Sequence, residues 1–147
     1  MDSQRPVIRI TRRFNAPPER VFDAWLDPKT ASQFLFTRPG QTVVRAEVDA
    51  RVGGSYLFVA RRGSEDIDHL GKYLEIERPR RLVFTLRVPA IRSESRFWTD
   101  DNRVTIEIVP AEKGCELTLT HEVTMPELED RLREGWTGFL ERLDALV

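Results

Sequence analysis

From Val7 to Phe14 the chain alternates: Ile8, Ile10 and Phe14 share one face with Arg12, while Val7, Arg9, Thr11 and Arg13 take the other. Successive strand side chains point to opposite sides, so this period of two predicts a strand buried on one face. The pattern then changes. Ala16-Pro17-Pro18-Glu19 supplies prolines suited to a first helical turn and an acid at the positive end of the helix dipole. Val21, Phe22, Trp25 and Leu26 form one apolar stripe, and Asp27-Pro28 closes that helix and opens a short second one carrying Ala31, Phe34 and Leu35. The turn residues Arg38-Pro39-Gly40 end it.

From Thr42 onward the text is β-like. Strands are predicted over Val43–Asp49, Ser55–Arg61, Asp66–Glu77, Arg81–Val88, Arg103–Val109 and Cys115–Val123. Short connections at Val52-Gly53-Gly54 and Glu77-Arg78-Pro79-Arg80 favour sequential antiparallel hairpins. Leu82, Phe84, Leu86 and Val88 share a face, as do Val104, Ile106 and Ile108, and Leu117, Leu119, His121 and Val123. One side of the sheet is therefore apolar and needs a cover. Leu128, Leu132, Trp136, Phe139, Leu140, Leu143 and Leu146 recur at three- and four-residue intervals, with Glu129, Asp130, Arg133, Glu134, Glu141 and Arg142 between them, so the cover is a long amphipathic helix. The expected architecture is α+β: a curved antiparallel sheet of about seven strands, in the order β-α-α-β6-α, wrapped around the C-terminal helix as one domain over residues 1–147. The least regular stretch is 89–102.

Composition narrows the function. Lys and Arg total 23 against 24 Asp and Glu, so no global field draws a polyanion, and neither an aromatic RNA-binding strand nor a recognition helix is apparent. A nucleic-acid partner is not expected. The single Cys115 rules out an internal disulfide and suits a reducing compartment. Met1 to Pro6 has no apolar signal core and no run approaches the ~18 apolar residues of a membrane span, so a cytoplasmic protein is expected.

Several features together resemble a known family: Arg12-Arg13-Phe14-Asn15-Ala16-Pro17, Val21-Phe22-Asp23-Ala24-Trp25, Asp27-Pro28, Asp49-Ala50-Arg51-Val52-Gly53-Gly54, Gly71-Lys72-Tyr73-Leu74-Glu75-Ile76, Pro79 to Thr85, Leu117 to His121, and Gly135-Trp136. In this order they resemble the activator-of-heat-shock-protein-ATPase homologues of the START-like, birch-pollen-allergen-like (SRPBCC) superfamily. The resemblance implies the helix-grip fold, with an elongated cavity that in many relatives binds hydrophobic or amphipathic small molecules. Where relatives often carry Trp-Trp after the second helix this chain has Phe34-Leu35-Phe36, which alters one cavity wall. The co-chaperones that name the family have a separate N-terminal domain, for which 147 residues leave no room, so a chaperone partner is not carried over.

Within that fold, Trp25, Phe34, Phe36, Tyr56, Phe58, Tyr73, Phe84, Phe97, Trp98, Trp136 and Phe139, with Leu140, suffice to line a pocket or simply to fill it. Ligand pockets are mostly apolar with a few polar groups, a role open to Arg12, Tyr56, Tyr73, Glu75 and His121. Arg12 shares a face with apolar residues and needs a carboxylate such as Glu75 or Asp49, a ligand anion, or solvent at the sheet edge. His121 stands in an aliphatic row as a cavity acid or base, or as a core histidine bonded to a backbone carbonyl. Gly53-Gly54-Ser55-Tyr56-Leu57 lacks the last glycine of a nucleophile elbow, and two isolated histidines, His69 and His121, with one cysteine make no metal set. No metal or cofactor is expected.

An empty ~300 Å3 space would cost about 7 kcal/mol on the scale of engineered cavities, so a large apolar vacancy persists only with an occupant or a use. The leading expectation is a carrier or binding domain for a hydrophobic or amphipathic molecule. The rivals are a cyclase-like or hydrolytic enzyme using His121 with Glu75 or Asp49, and a chaperone-interacting stress-response protein. A homodimer is left open.

Overall fold

The computed structural model describes residues 7–88, 102–122 and 128–147. The elements, in order, are β1 (Val7–Phe14), α1 (Pro18–Leu26), α2 (Pro28–Ala31), β2 (Thr42–Val48), β3 (Ser55–Arg62), β4 (Glu65–Glu77), β5 (Arg81–Thr85), β6 (Arg103–Ala111), β7 (Gly114–Glu122) and α3 (Glu129–Leu146). They build an α+β fold whose seven-stranded antiparallel sheet has the order β1-β7-β6-β5-β4-β3-β2. Consecutive strands pair from β2 through β7, and β1 closes on β7 from Val7↔Glu122 to Phe14↔Cys115. The long helix α3 lies on the apolar face, burying Gly135, Trp136, Phe139, Leu140 and Leu143. This is the helix-grip arrangement.

The short second helix departs from its expected extent. Asp27 caps it by accepting from the Thr30 amide, but it ends at Ala31, so Phe34, Leu35 and Phe36 lie in the turns that follow. Phe36 has a positive φ of 61°, a conformation that no helix can continue through. At β5 the ladder stops at Thr85, beyond which only an isolated bridge joins Leu70 to Arg87.

Strand β4 serves two neighbours. Its first part pairs with β3, from Arg62↔Glu65 to Ser55↔Lys72, and its second with β5, from Tyr73↔Phe84 to Glu77↔Arg81. Gly71 lies where the two pairings meet: a Cβ there would run into the Thr85 carbonyl and lie 2.9 Å from the Tyr56 hydroxyl. A register shift between Tyr73 and Glu75 marks a bulge, which gives Tyr73 and Ile76 inner positions opposite Phe84 and Leu82. The β4–β5 turn is tied to α1 by the bidentate Arg78–Asp23 pair, at 2.7 and 2.9 Å.

Candidate functional site

The deep interior is filled by the protein's own rings. Trp25 meets Phe34 edge-on at 5.1 Å and lies 6.4 Å from both Phe84 and Trp136. Tyr56 contacts Phe84 at 5.7 Å, Phe58 at 5.9 Å and Tyr73 at 5.5 Å. The space left among Trp25, Leu35, Tyr56, Phe58, Tyr73, Leu82 and Phe84 is about 10 Å3, scarcely room for one water. Trp25, Phe34, Tyr56, Phe58, Tyr73 and Phe84 therefore pack against one another here with little free space between them, and Tyr56 also edges the groove described below. The reason is size: edge-to-face aromatic packing closes the gap between sheet and helix. Leu140 is buried in the same core. The Tyr56 hydroxyl donates to the Thr85 carbonyl at 2.6 Å, and burial raises the phenols of Tyr56 and Tyr73 above their ordinary range, keeping both protonated.

His121 is likewise spoken for. The Trp136 indole N–H donates to its Nδ1 at 2.9 Å, which leaves Nε2 as the protonated nitrogen, and Nε2 lies 2.6 Å from Asn102 Oδ1. Asn102 Nδ2 in turn donates to the Leu86 carbonyl at 2.6 Å. Desolvation holds the imidazole near a pKa of about 4, so it is neutral, fully buried and lacks a lone pair to offer a substrate. It is a core histidine, but its partners are side chains and not a backbone carbonyl. The acid–base set expected with it is not assembled: Glu75 is paired with Arg81 at 2.9 Å and Asp49 with Arg51 at 2.9 Å, both partly exposed. Arg12 meets neither of these acids. It reaches Asp144 of α3 at 2.9 Å and ties β1 to the end of the helix. Trp98, with Phe97, lies outside the described residues.

An open cavity of about 300 Å3 lies beside this core, toward the start of α3. The sheet side supplies Ile67, His69, Leu86 and Val88, the helix side Leu128, Leu132, Trp136 and Phe139, and the turn after α2 supplies Phe36. Of the residues singled out in the sequence, Phe36, Trp136 and Phe139 meet here. Phe36 stacks on His69 with centroids 4.6 Å apart and planes 12° from parallel. Burial pushes His69 down to a pKa of about 4, and its Nδ1 has no hydrogen-bond partner among the described residues. Arg38, Gln41, Arg62 and Arg131 complete the lining, and no carboxylate is among the lining residues. Sequence reasoning missed His69, Arg38, Arg62 and Arg131. Strand parity with Ile67 and Tyr73 would have placed His69 inward, whereas the arginines come from three separate segments and leave no linear signal.

A larger, shallower groove of about 820 Å3 runs over the other face of the sheet past Leu57, Leu70 and Leu74. It is framed by exposed charged side chains, including Asp49, which is already paired, and it is less suited to enclosing an apolar molecule. Among the described residues no group of His, Cys, Asp and Glu could hold a metal ion, and no helix is long and apolar enough to cross a membrane.

Residues 15–147 match the family described as Activator of Hsp90 ATPase homolog 1-like protein. A crystal structure of a Chromobacterium violaceum protein is 30% identical, with a TM-score of 0.80 and 97% of each chain covered. The solution structure of an AHSA1-like protein from Aeromonas hydrophila is 22% identical, with a TM-score of 0.79 over 95% of this chain and 90% of that one. A crystal structure of a Nitrosomonas europaea protein is 19% identical, with a TM-score of 0.78 over 95% and 92%. These last two are likenesses of fold. No curated protein matches the chain.

Proposed function

The chain belongs to the Activator of Hsp90 ATPase homolog 1-like family, and from that premise we propose that it is a single-domain cytoplasmic carrier or binding protein for a hydrophobic or amphipathic small molecule. The observation that carries this reading is the cavity of about 300 Å3 between β4 and α3, apolar over most of its wall and bounded by a few cationic groups. That combination of volume and lining is typical of small-molecule sites. The ligand reaches down to Trp136 and Phe139 and stops where the packed rings around Trp25 begin.

The reading is tested by thermal unfolding of the purified chain with fatty acids, sterols and aromatic polyketides. A ligand at a hundred times its dissociation constant adds about 2.7 kcal/mol, which for a domain of this size raises the midpoint by roughly 5 to 10 °C. Leu132→Arg, which places a charge on the apolar wall, should abolish that rise. An unchanged midpoint across the panel would sink the proposal.

A further inference from the structure

Arg38 is a partly buried cation on the cavity wall. Several guanidiniums elsewhere find carboxylates: Arg12, Arg61, Arg78 and Arg81 each reach one within 2.9 Å. The Arg38 guanidinium is half-buried at the cavity and makes no ion pair or hydrogen bond among the described residues; its backbone carbonyl alone is engaged, accepting from the Gln41 amide at 2.9 Å. Its charged neighbours are Arg131, Arg142 and Arg62, opposed by Glu134, and burial with those like charges pulls its pKa below the ordinary arginine value. Arginine nonetheless keeps its proton, so a half-buried guanidinium among others is unfavourable until an anion joins it. Arg142 is engaged with the Thr37 hydroxyl at 3.2 Å and with the Phe139 ring, and Arg62 with Glu65 at 3.3 Å. Arg38 and Arg131 are the cations left for a guest.

The position is built and not accidental. The guanidinium lies against α3 at Gly135, where a Cβ would sit 2.7 Å from Arg38 Nη2. Any other residue at 135 would push the arginine off the helix. From this seat the charge faces a space whose inner wall is Leu86, Val88, Trp136 and Phe139.

We propose that the ligand is a single-chain amphiphile with an anionic head, its head held by Arg38 and Arg131 at the mouth and its apolar chain directed toward Trp136 and Phe139. This rests on the carrier reading above and adds the chemical class of the guest. The fork of a guanidinium matches a carboxylate or a phosphate monoester, and a charge-assisted hydrogen bond is worth about a tenfold gain in affinity or more.

The test is calorimetric titration of the whole chain with decanoate, 1-decanol and decylamine at low ionic strength, each below its aggregation threshold. Decanoate should bind about tenfold tighter than decanol or better, and decylamine the weakest. Arg38→Gln should bring decanoate to the level of decanol and leave decanol unchanged, with Arg131→Gln giving a smaller loss. Gly135→Ala should reproduce the loss in a folded protein, because the atom it displaces is the free end of a flexible side chain. If decanoate and decanol bind alike in all variants, the anionic head is wrong and the carrier reading stands. Binding of none of the three would overturn both.

Discussion

Phe36 joins a strained backbone to a buried ring. A bulky residue in the left-handed region costs roughly 1–2 kcal/mol, and here the ring offsets it through contacts with Phe58 at 5.7 Å, Trp136 and Phe139 at 6.1 Å, and His69. Phe36→Ala should therefore lower stability by ~3–5 kcal/mol. Phe36→Gly should be no worse and should recover about 1 kcal/mol relative to alanine, because glycine takes positive φ freely. In an ordinary buried site the order is reversed. Urea unfolding of both variants decides it: glycine below alanine would show that the backbone at this position is unstrained. Nothing in Phe34-Leu35-Phe36 announces the turn, since apolar spacing reports which residues face inward and not the handedness of the chain carrying them.

At the scale of elements, the strands were the most legible feature because a two-residue alternation with one face buried leaves a direct trace. Ile8, Phe14, Ile106, Leu119 and their row-mates are buried as their parity demands. The bulge in β4 was not legible, since Asp66–Glu77 alternates too loosely to show where one residue is extra. Gly71 is the structural reason that β4 can change partners, for the Thr85 carbonyl occupies the place its side chain would take. Gly71→Ala should separate β4 from β5, break the Tyr56–Thr85 hydrogen bond and destabilise the fold by ~3 kcal/mol or more. Hydrogen exchange would register this as lost protection of the Leu70 and Arg87 amides, which donate to each other's carbonyls. A variant with wild-type protection at both would mean that the corner has slack.

For the whole molecule, family resemblance and patterning made the helix-on-sheet arrangement readable, while the location of the open space depended on side-chain volumes that sum only in three dimensions. Trp25, Phe34 and Phe84 meet Trp136 and close the middle, so the cavity is displaced toward the start of α3. The same burial makes two histidines into acid-sensitive parts of the fold. His121 links α3 to β7 and, through Asn102, to the end of β5, and His69 backs Phe36 in the cavity wall. Both imidazoles are held near a pKa of about 4 in the folded protein, against 6.5 for the unperturbed group. Between those values the unfolded chain binds more protons than the folded one, so acid favours unfolding; each histidine contributes up to ~3 kcal/mol that is present above pH 6.5 and lost as the pH falls to about 4. Asp23, Asp27 and Asp66 have carboxyls held below their ordinary 3.8 by hydrogen bonds to Arg78, Thr30 and Arg61, and their stabilisation starts to be lost only at the acid end of that window, below about pH 5. Urea midpoints should therefore stay level above pH 7 and decline steadily from pH 6.5 to 4.5, with the nitrogen-15 shifts of His121 still those of a neutral ring protonated at Nε2 at pH 5. Level midpoints across that interval, or an imidazolium signal from His121 at pH 6, would show that this ring is reached by water and that the bond from Trp136 does not anchor the helix.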